Sequence, residues 1–368
     1  MRKKRLLIGS GAALILLAAS YFAYTRWTAE HGRPRESLLG QLPFTASSVM
    51  YVDLLELRQG DLLKSLAKWT AGSTEEPEYQ AFVKETGFDY ERDLNQLGIA
   101  FRTRNLRSSY FAIADGHFDR KKISDYLHKN GGSEQKNGRE IFHVTSSKPG
   151  RNIALAFLSN DRIALTDGDD FSADLESANQ GVGHQEWMQR FERLSGVPAF
   201  ALVRQEAAIG AVLSERAPGG IASPQLAQLL NLLTWVSIAG KPEGSSFRVV
   251  IDGECPNEMV MRQLTEFFSG ITLLAQAGLN DPKLREKMDA TEREAYLQLL
   301  SSIEVTRLNR GETQSVRVSF VILPETWSKL SALSDRANQN SDPIPGGATS
   351  KTQSKNKNAG AKAPASHH

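Results

Sequence analysis

Hydrophobic residues follow two different periods between residues 44 and 337. Short β-branched runs in which apolar and polar residues alternate predict strands, and apolar residues spaced three and four apart predict amphipathic helices. The clearest alternation lies at 315–323, and the longest helical pattern begins at Pro256 and keeps its apolar residues on one face as far as Leu274. Both kinds of element therefore occur in this part of the chain.

The predicted elements form two successive cycles of strand, helices, strand, strand, helix, strand and strand. The predicted strands lie at 48–53, 97–101, 109–116, 140–144, 153–158, 162–166, 199–203, 234–239, 246–252, 303–308 and 315–323. The predicted helices include 119–129, 185–194, 206–215 and 224–233, together with helices that begin at Pro77, Pro256 and Asp281.

The two cycles contain a short internal repeat. Residues 108–116 (SSYFAIADG) match residues 245–253 (SSFRVVIDG) at a constant offset of 137. We therefore expect an α+β fold with two similar halves, 44–195 and 196–337, each with helices packed on one face of its own antiparallel sheet. The Asp-Gly pair that ends both segments predicts a turn from strand to helix, because glycine accepts positive φ.

The N-terminal segment predicts a transmembrane helix. A basic cytoplasmic stub, residues 1–5, precedes Leu6–Tyr24, which holds no charge and can cross a hydrocarbon core of about 30 Å. Basic residues stay on the cytoplasmic side, so we expect a single-pass signal-anchor whose partner is the lipid bilayer and whose body is exported. The alternative is a cleavable signal peptide, with small residues at Ala18 and Ser20 and a cut before Tyr21.

Composition and charge limit the class of partner. Residues 25–43 form a polar linker, and residues 338–368 form a low-complexity tail that we expect to be disordered. The chain has 44 Lys and Arg residues against 42 Asp and Glu residues, and eight of these cations lie in the stub and in the tail beyond Asp342. The remaining 36 cations against 42 acids make the body mildly acidic, which argues against nucleic acid as a partner.

Candidate chemistry is sparse. The acidic run 167–170 suits calcium in composition but lacks the spacing of an EF-hand loop, so a turn with a helix N-cap is the better interpretation. The histidines have no zinc-ligand spacing, and no nucleophile elbow or phosphate-binding loop occurs. We therefore expect no catalytic residue, metal or cofactor, and no small-molecule ligand is indicated. Cys255 is the only cysteine, either a small turn residue or the site of an intermolecular bridge.

Residues 87–94 are unusually rich in aromatic and charged side chains. Phe88, Tyr90 and Arg92 form a candidate recognition loop, because exposed aromatic residues beside charges are typical anchors of interfaces. The alternative, which we favour, is structural: a glycine ends a helix, Phe88 packs under the sheet, and Asp89 caps a short helical turn.

Several short segments resemble a known family. They lie at 42–43 (Leu-Pro), 47–53, 57–58 (Leu-Arg), 86–94 and 98–100 (Gly-Ile-Ala). Together they resemble an uncharacterised family of bacterial exported, membrane-anchored proteins over roughly residues 40–170. The resemblance implies a repeated α+β body and a location in the bacterial inner membrane, with the body in the periplasm or outside. Because the family has no known activity, the resemblance implies no site residues.

These observations favour a non-enzymatic cell-envelope protein that binds or scaffolds an envelope partner through its α+β body. A groove between the halves lined by apolar and aromatic residues would support this function. One alternative is an envelope enzyme with a site in the cleft between the halves, which a titratable group with a perturbed pKa would indicate. The other is an oligomeric assembly component that associates through the membrane helix and the sheet edges.

Overall fold

The computed structural model describes most of residues 35–329. The described ranges are 35–59, 77–104, 107–145, 152–168, 171–177, 183–213, 224–286, 288–311, 313–326 and 328–329. The predictions for residues 1–5, for Leu6–Tyr24 and for the tail 338–368 lie outside these ranges.

The described chain contains twelve strands and twelve helices. The strands are β1 (Ser48–Asp53), β2 (Leu94–Arg104), β3 (Arg107–Gly116), β4 (Gly132–Lys136), β5 (Arg139–Thr145), β6 (Asn152–Phe157), β7 (Arg162–Thr166), β8 (Ala199–Arg204), β9 (Trp235–Glu243), β10 (Ser246–Cys255), β11 (Glu304–Arg310) and β12 (Thr313–Ile322). The helices are α1 (Arg35–Leu39), α2 (Leu54–Gln59), α3 (Pro77–Thr86), α4 (Tyr90–Asp93), α5 (Arg120–Asn130), α6 (Phe171–Ser177), α7 (Gly183–Arg193), α8 (Gln205–Leu213), α9 (Pro224–Leu230), α10 (Glu258–Asn280), α11 (Pro282–Arg285) and α12 (Ala290–Ser301).

All twelve strands join one antiparallel sheet, so the protein is α+β with a single sheet. The strand order is β11-β12-β10-β9-β8-β1-β2-β3-β7-β6-β5-β4. The prediction of one sheet for each half is wrong, because β1 of the first half (44–195) pairs with β8 of the second half (196–337). Each strand would otherwise leave a row of backbone N–H and C=O groups unpaired at a sheet edge.

The central pair relates the halves by an approximate two-fold arrangement. The N–H of Asp53 donates to the carbonyl of Pro198 at 2.6 Å, and the N–H of Arg204 donates to the carbonyl of Ser47 at 3.0 Å. Counting outward from this pair, β3 and β10 are the second strand on either side. The two segments that match in sequence fall on these two strands, so they occupy equivalent places in the sheet.

Helices cover both faces of the sheet, and the prediction of helices on one face is wrong. Adjacent residues of β5 show why, because side chains alternate between the faces of a strand. Ile141 belongs to a core cluster built with α1, α6 and α7, whereas Phe142 belongs to a cluster built with α5 on the opposite face. A third cluster joins Met261 of α10 to Val316 of β12.

The structure does not support the predicted membrane anchor. Within the described ranges, no helix is long and apolar enough to cross a bilayer. The longest, α10, has 23 residues, but it carries Glu258, Arg262 and Glu266. Leu6–Tyr24 lies outside the described residues. The transmembrane part of the predicted fold class, the signal-anchor and the single-pass location in a bacterial inner membrane are corrected accordingly.

The predicted linker 25–43 contains part of the fold. Residues 35–39 of this segment form α1, in which Leu38 and Leu39 are fully buried in the central core cluster. Leu42 is buried in the same cluster, so the ordered body begins before residue 44. The sequence did not reveal this role, because the segment is rich in arginine and α1 contains only two apolar residues.

Cys255 at the end of β10 is buried, and burial raises the pKa of its thiol. The thiolate is the form that attacks alkylating reagents, so both effects slow modification. We expect Cys255 to react with iodoacetamide at pH 8 at least about tenfold more slowly in the native protein than in denaturant. Equal rates would show that the sulfur is accessible and would revive the intermolecular bridge as an interpretation.

Candidate functional site

The three residues of the candidate recognition loop make local structural contacts. Phe88 stacks on Phe118, with ring centroids 5.3 Å apart. The ring of Tyr90 lies 5.5 Å from that of Tyr79, and the Tyr90 N–H donates to the Tyr79 hydroxyl. Arg92 donates two hydrogen bonds to the carboxylate of the next residue. These contacts match the structural alternative, and binding by this loop stays a prediction.

The acidic run 167–170 is described only at its first two residues. Asp167 accepts a hydrogen bond of 2.8 Å from the backbone N–H of Tyr110, which ties the turn after β7 to β3. In the part of the chain that the structure describes, no three His, Cys, Asp or Glu side chains are placed to hold a metal ion.

A cleft of about 210 Å³ opens where the two halves meet. Its wall is the C-terminal end of α7, from the first half, and its floor is formed by β9, β10 and β12 of the second half. The lining residues are Arg193, Leu194, Ser195, Gly196, Val197, Ser237, Ala239, Gly240, Lys241, Arg248, Val250, Asp252 and Arg317. A narrower extension continues past Trp235, Glu254 and Arg310. We call the cleft with its extension the cationic cleft, because arginine and lysine dominate its charged lining.

Helix α7 is fixed over the sheet by an apolar face and a capped end. Trp187, Phe191 and Leu194 recur at helical spacing and are buried in the central core cluster. Arg35 donates hydrogen bonds to the carbonyl oxygens of Phe191 and Leu194 at 3.2 and 2.8 Å, which satisfies acceptors that a helix end leaves unpaired. Gly196 follows with a φ of +75°, a left-handed conformation that ends many helices. The wall of the cleft is therefore held in place.

Glu254 of β10 binds two arginines from the last turns of α7. Arg190 donates to both carboxylate oxygens at 3.0 and 2.6 Å, and Arg193 donates at 2.9 Å. The guanidinium of Arg190 also lies 4.2 Å from the ring centroid of Trp235, and that of Arg204 lies 4.9 Å from it. Cations at a helix C-terminus are favoured by the helix dipole, which explains why arginines end α7 here.

Asp252, two residues earlier on the same face of β10, is shared in the same way. Arg317 of β12 donates two hydrogen bonds of 2.7 Å to its carboxylate, and Arg310 of β11 lies 3.7 Å away. The hydrogen bond to Asp252 raises the pKa of the Arg317 guanidinium. This carboxylate also has two cationic neighbours.

Glu243, at the end of β9, repeats the arrangement a third time. Arg248 donates to its carboxylate at 2.8 Å, and Lys241 lies 3.7 Å away. The hydrogen bond from Arg248 is the main reason why the pKa of Glu243 is lowered from its ordinary value. The side chain of Lys241 is 48% exposed and that of Arg248 is 31% exposed.

The cationic cleft thus pairs three carboxylates with six cations. Two further acids lie nearby: Glu304 of β11 acts on Arg248 through its charge, and Glu186 of α7 lies 3.5 Å from both Arg190 and Arg204. With these two acids and Arg204 included, seven cations stand against five acids, an excess of two. A solvent-accessible cleft with surplus positive charge attracts negatively charged ligands.

The hydroxyl groups of the cleft are not arranged for nucleophilic catalysis. Ser195 and Ser237 line it, but among the described residues no hydrogen bond couples either hydroxyl to a histidine or a carboxylate. A serine nucleophile is weak unless such a base activates it. The arrangement is suited to binding an anion.

Sequence reasoning missed the residues of the cationic cleft. Lys241, Arg248 and Arg317 lie on three strands and share no motif, and only the sheet register brings them together. A groove lined by apolar and aromatic residues would have supported the envelope-binding function, whereas this groove is charged over a small apolar floor. One signal was available in the sequence. Arg248, Val250 and Asp252 are two residues apart in a predicted strand and so lie on one face, and the two charges on that face indicate that it is open to solvent.

The chain matches no protein-family model and no curated protein. The resemblance to the exported bacterial family therefore stays a prediction. Among solved structures it is similar to crystal form III of TP0453, with 11% identity over 80% of this chain and 98% of that chain and a TM-score of 0.44. It is also similar to crystal form IV of TP0453, with 9% identity over 81% and 96% and a TM-score of 0.45. The function of this chain has to be argued from its own residues.

Proposed function

We propose that this protein is a non-enzymatic binding protein whose cationic cleft takes an acidic segment of a partner protein. The observation that carries the proposal is the incomplete charge balance, in which three carboxylates are each shared by two cations. A partner's carboxylates supply the missing negative charge. Arginine forks also bind carboxylates through directed, charge-assisted hydrogen bonds.

The length of the cationic cleft favours an extended ligand. Its cations reach from Arg248 to the arginines that bind Glu254, six residues farther along β10, which spans about 20 Å at the usual rise per strand residue. Its volume of about 210 Å³ is below the roughly 300–1,000 Å³ of sites that bury a drug-sized molecule. An acidic peptide lying along the cleft is compatible with both dimensions.

The interspersed acids of the cleft favour a peptide over a nucleic acid. A nucleic-acid strand carries one negative charge per phosphate at short, regular intervals of about 3.4 Å. Such a strand would pass directly over the three carboxylates and be repelled by them. A peptide carries its carboxylates at the ends of flexible side chains, which can turn toward the cations and away from the acids, so less of its attraction is offset in this way.

The test is binding of a fluorescein-labelled peptide of ten glutamates to the full chain, measured by fluorescence anisotropy. The variant Lys241→Glu/Arg248→Glu reverses two exposed charges at one end of the cleft. We expect it to weaken binding by about 10- to 100-fold, because the peptide then meets repulsion where it met attraction. Binding of the unaltered protein should also weaken as salt is raised.

The matched control is Lys121→Glu/Lys122→Glu on α5, which changes the net charge by the same amount at exposed positions of the first half. It should leave peptide binding within about twofold of the unaltered protein if location matters more than net charge. Equal loss in both variants would contradict the proposal. So would tighter binding of a labelled single-stranded oligonucleotide of equal charge, which would indicate a nucleic-acid partner.

A further inference from the structure

The floor of the cationic cleft is built in three rows of side chains that cross the sheet. Residues two apart in a strand share a face and lie about 7 Å apart, and β9 and β10 pair in continuous register beneath the cleft. From one end to the other, the rows are Lys241 with Arg248, Ala239 with Val250, and Ser237 with Asp252 and Arg317. The floor therefore changes from cationic to apolar and then to ion-paired over about 13 Å.

A loosely paired cation lies at each end of these rows. Lys241 is 3.7 Å from the carboxylate of Glu243, to which an arginine of β10 donates a hydrogen bond of 2.8 Å. Arg310 is 3.7 Å from the carboxylate of Asp252, which accepts two hydrogen bonds of 2.7 Å from an arginine of β12. Both 3.7 Å contacts are longer than an ordinary hydrogen bond, and the side chains of Lys241 and Arg310 are 48% and 37% exposed. Each can therefore turn to the carboxylate of a ligand.

The middle row of the floor is apolar. Ala239 is buried, and Val250 packs against the central core cluster. Val197, which follows α7 and lines the wall, packs against the same cluster. An apolar side chain placed against these three residues removes apolar surface from water, whereas a carboxylate there loses hydration without gaining a partner. The middle row thus favours an apolar residue of the ligand.

We propose that the acidic segment of the partner is extended and carries an acid, an apolar residue and a second acid at alternate positions. The inference rests on the proposed function and adds the pattern that the cleft recognises. In an extended chain, residues i, i+2 and i+4 point to one side and recur about every 7 Å, which matches the three rows. Extended peptides are commonly recognised through sites for alternate side chains.

The three rows assign a place to each of these ligand side chains. The two acids bind Lys241 and Arg310 at the ends, and the apolar residue covers Ala239 and Val250 between them. Because an acid stands at both ends, the pattern is the same in both chain directions. The cleft therefore discriminates by the spacing of the ligand's side chains as well as by total charge.

The test compares three fluorescein-labelled peptides of identical composition on the full chain, by fluorescence anisotropy. The matching peptide, Ser-Glu-Ser-Val-Ser-Glu-Ser, has both acids and the valine on one side when it is extended. The isomer Ser-Glu-Val-Ser-Ser-Glu-Ser moves the valine to the other side, and Ser-Ser-Ser-Val-Glu-Glu-Ser brings the acids together. We expect the matching peptide to bind at least about fivefold more tightly than either isomer, although all three carry the same charge.

A variant that fills the middle row checks that this row recognises the valine. Ala239→Leu puts a larger side chain where the valine of the peptide lies, so the matching peptide should lose its preference over the first isomer. Circular dichroism shows whether this variant is folded, and Val250→Thr, a smaller change that makes the same row polar, replaces it if it is not. The control Lys121→Glu/Lys122→Glu, on α5, should keep the full preference.

The outcomes separate this inference from the function on which it rests. Absence of binding by the ten-glutamate peptide contradicts the proposed function itself. Binding of that peptide together with equal affinities of the three isomers overturns only the alternating pattern, because the cleft then responds to total charge alone. A preference for either isomer overturns it too, and so does binding of the ten-glutamate peptide without binding of any short peptide.

Discussion

Replacing Arg162 with methionine is expected to lower the free energy of unfolding by about 3–5 kcal/mol, the usual cost of breaking a buried ion pair from one side. Arg162 of β7 donates hydrogen bonds of 2.5 and 2.6 Å to the carboxylate of Asp115 on β3. Their side chains are only 1% and 5% exposed. Arg162 also donates to the carbonyl and hydroxyl oxygens of Ser37 in α1. The variant leaves a buried carboxylate without its cation and a helix without its tie to the sheet.

The second half contains a natural control for this substitution. Arg317 forms the equivalent cross-strand pair with Asp252, but its side chain is 30% exposed and Arg310 lies within 3.7 Å of the same carboxylate. We expect Arg317→Met to cost only about 0–1 kcal/mol, as for exposed ion pairs. Urea denaturation of both variants measures the difference. Equal losses would contradict the view that burial sets the cost.

A double variant separates the value of the pair from the cost of an orphaned charge. Asp115→Leu combined with Arg162→Met removes both charges and leaves apolar side chains of similar size. Such replacements are often neutral, so we expect the double variant to recover most of the stability that the single variant loses. If it does not, the hydrogen bonds of Arg162 to Ser37 carry more of the stability than the ion pair.

The comparison of these two pairs shows what the sequence could and could not predict. The repeat correctly aligned Asp115 with Asp252, but predicted for both a turn at the end of a strand. Their arginine partners follow 47 and 65 residues later, at different offsets. Because the spacing is not conserved between the halves, only the sheet register places each arginine opposite its aspartate.

Strands with apolar alternation were predictable, and those without it were not. β12 shows the clearest alternation in the chain and lies where the sequence predicts it. β4, Gly132–Lys136, is exposed at every residue and carries no apolar pattern, so the sequence gives no sign of it. The pairing of β1 with β8 could not be predicted either, because no local sequence pattern shows which two strands become neighbours in a sheet. The cationic cleft lies between α7 of the first half and strands of the second half, so it could not be predicted without that pairing.

The largest loss of packing is expected from Trp187→Ala, at about 3–5 kcal/mol for a fully buried tryptophan. Trp187 of α7 is 0% exposed. Its ring lies edge-on to Trp235 with centroids 4.8 Å apart, and its indole N–H donates to the carbonyl of Phe44 at 3.1 Å. The variant creates a cavity and also leaves that carbonyl without its donor. Gln189→Ala, an exposed change on the same helix, should stay within about 0.5 kcal/mol.

The same substitution tests whether α7 belongs to the binding site. Trp187 holds the helix whose last turns carry Arg190 and Arg193, so its loss should loosen the wall of the cationic cleft. Under conditions where Trp187→Ala stays folded, we expect weaker binding of the ten-glutamate peptide, by about tenfold. If the variant does not fold, Trp187→Phe keeps an aromatic ring without the N–H and allows the same measurement. A destabilised variant that binds as well as Gln189→Ala would show that the acidic segment is held by the sheet strands alone.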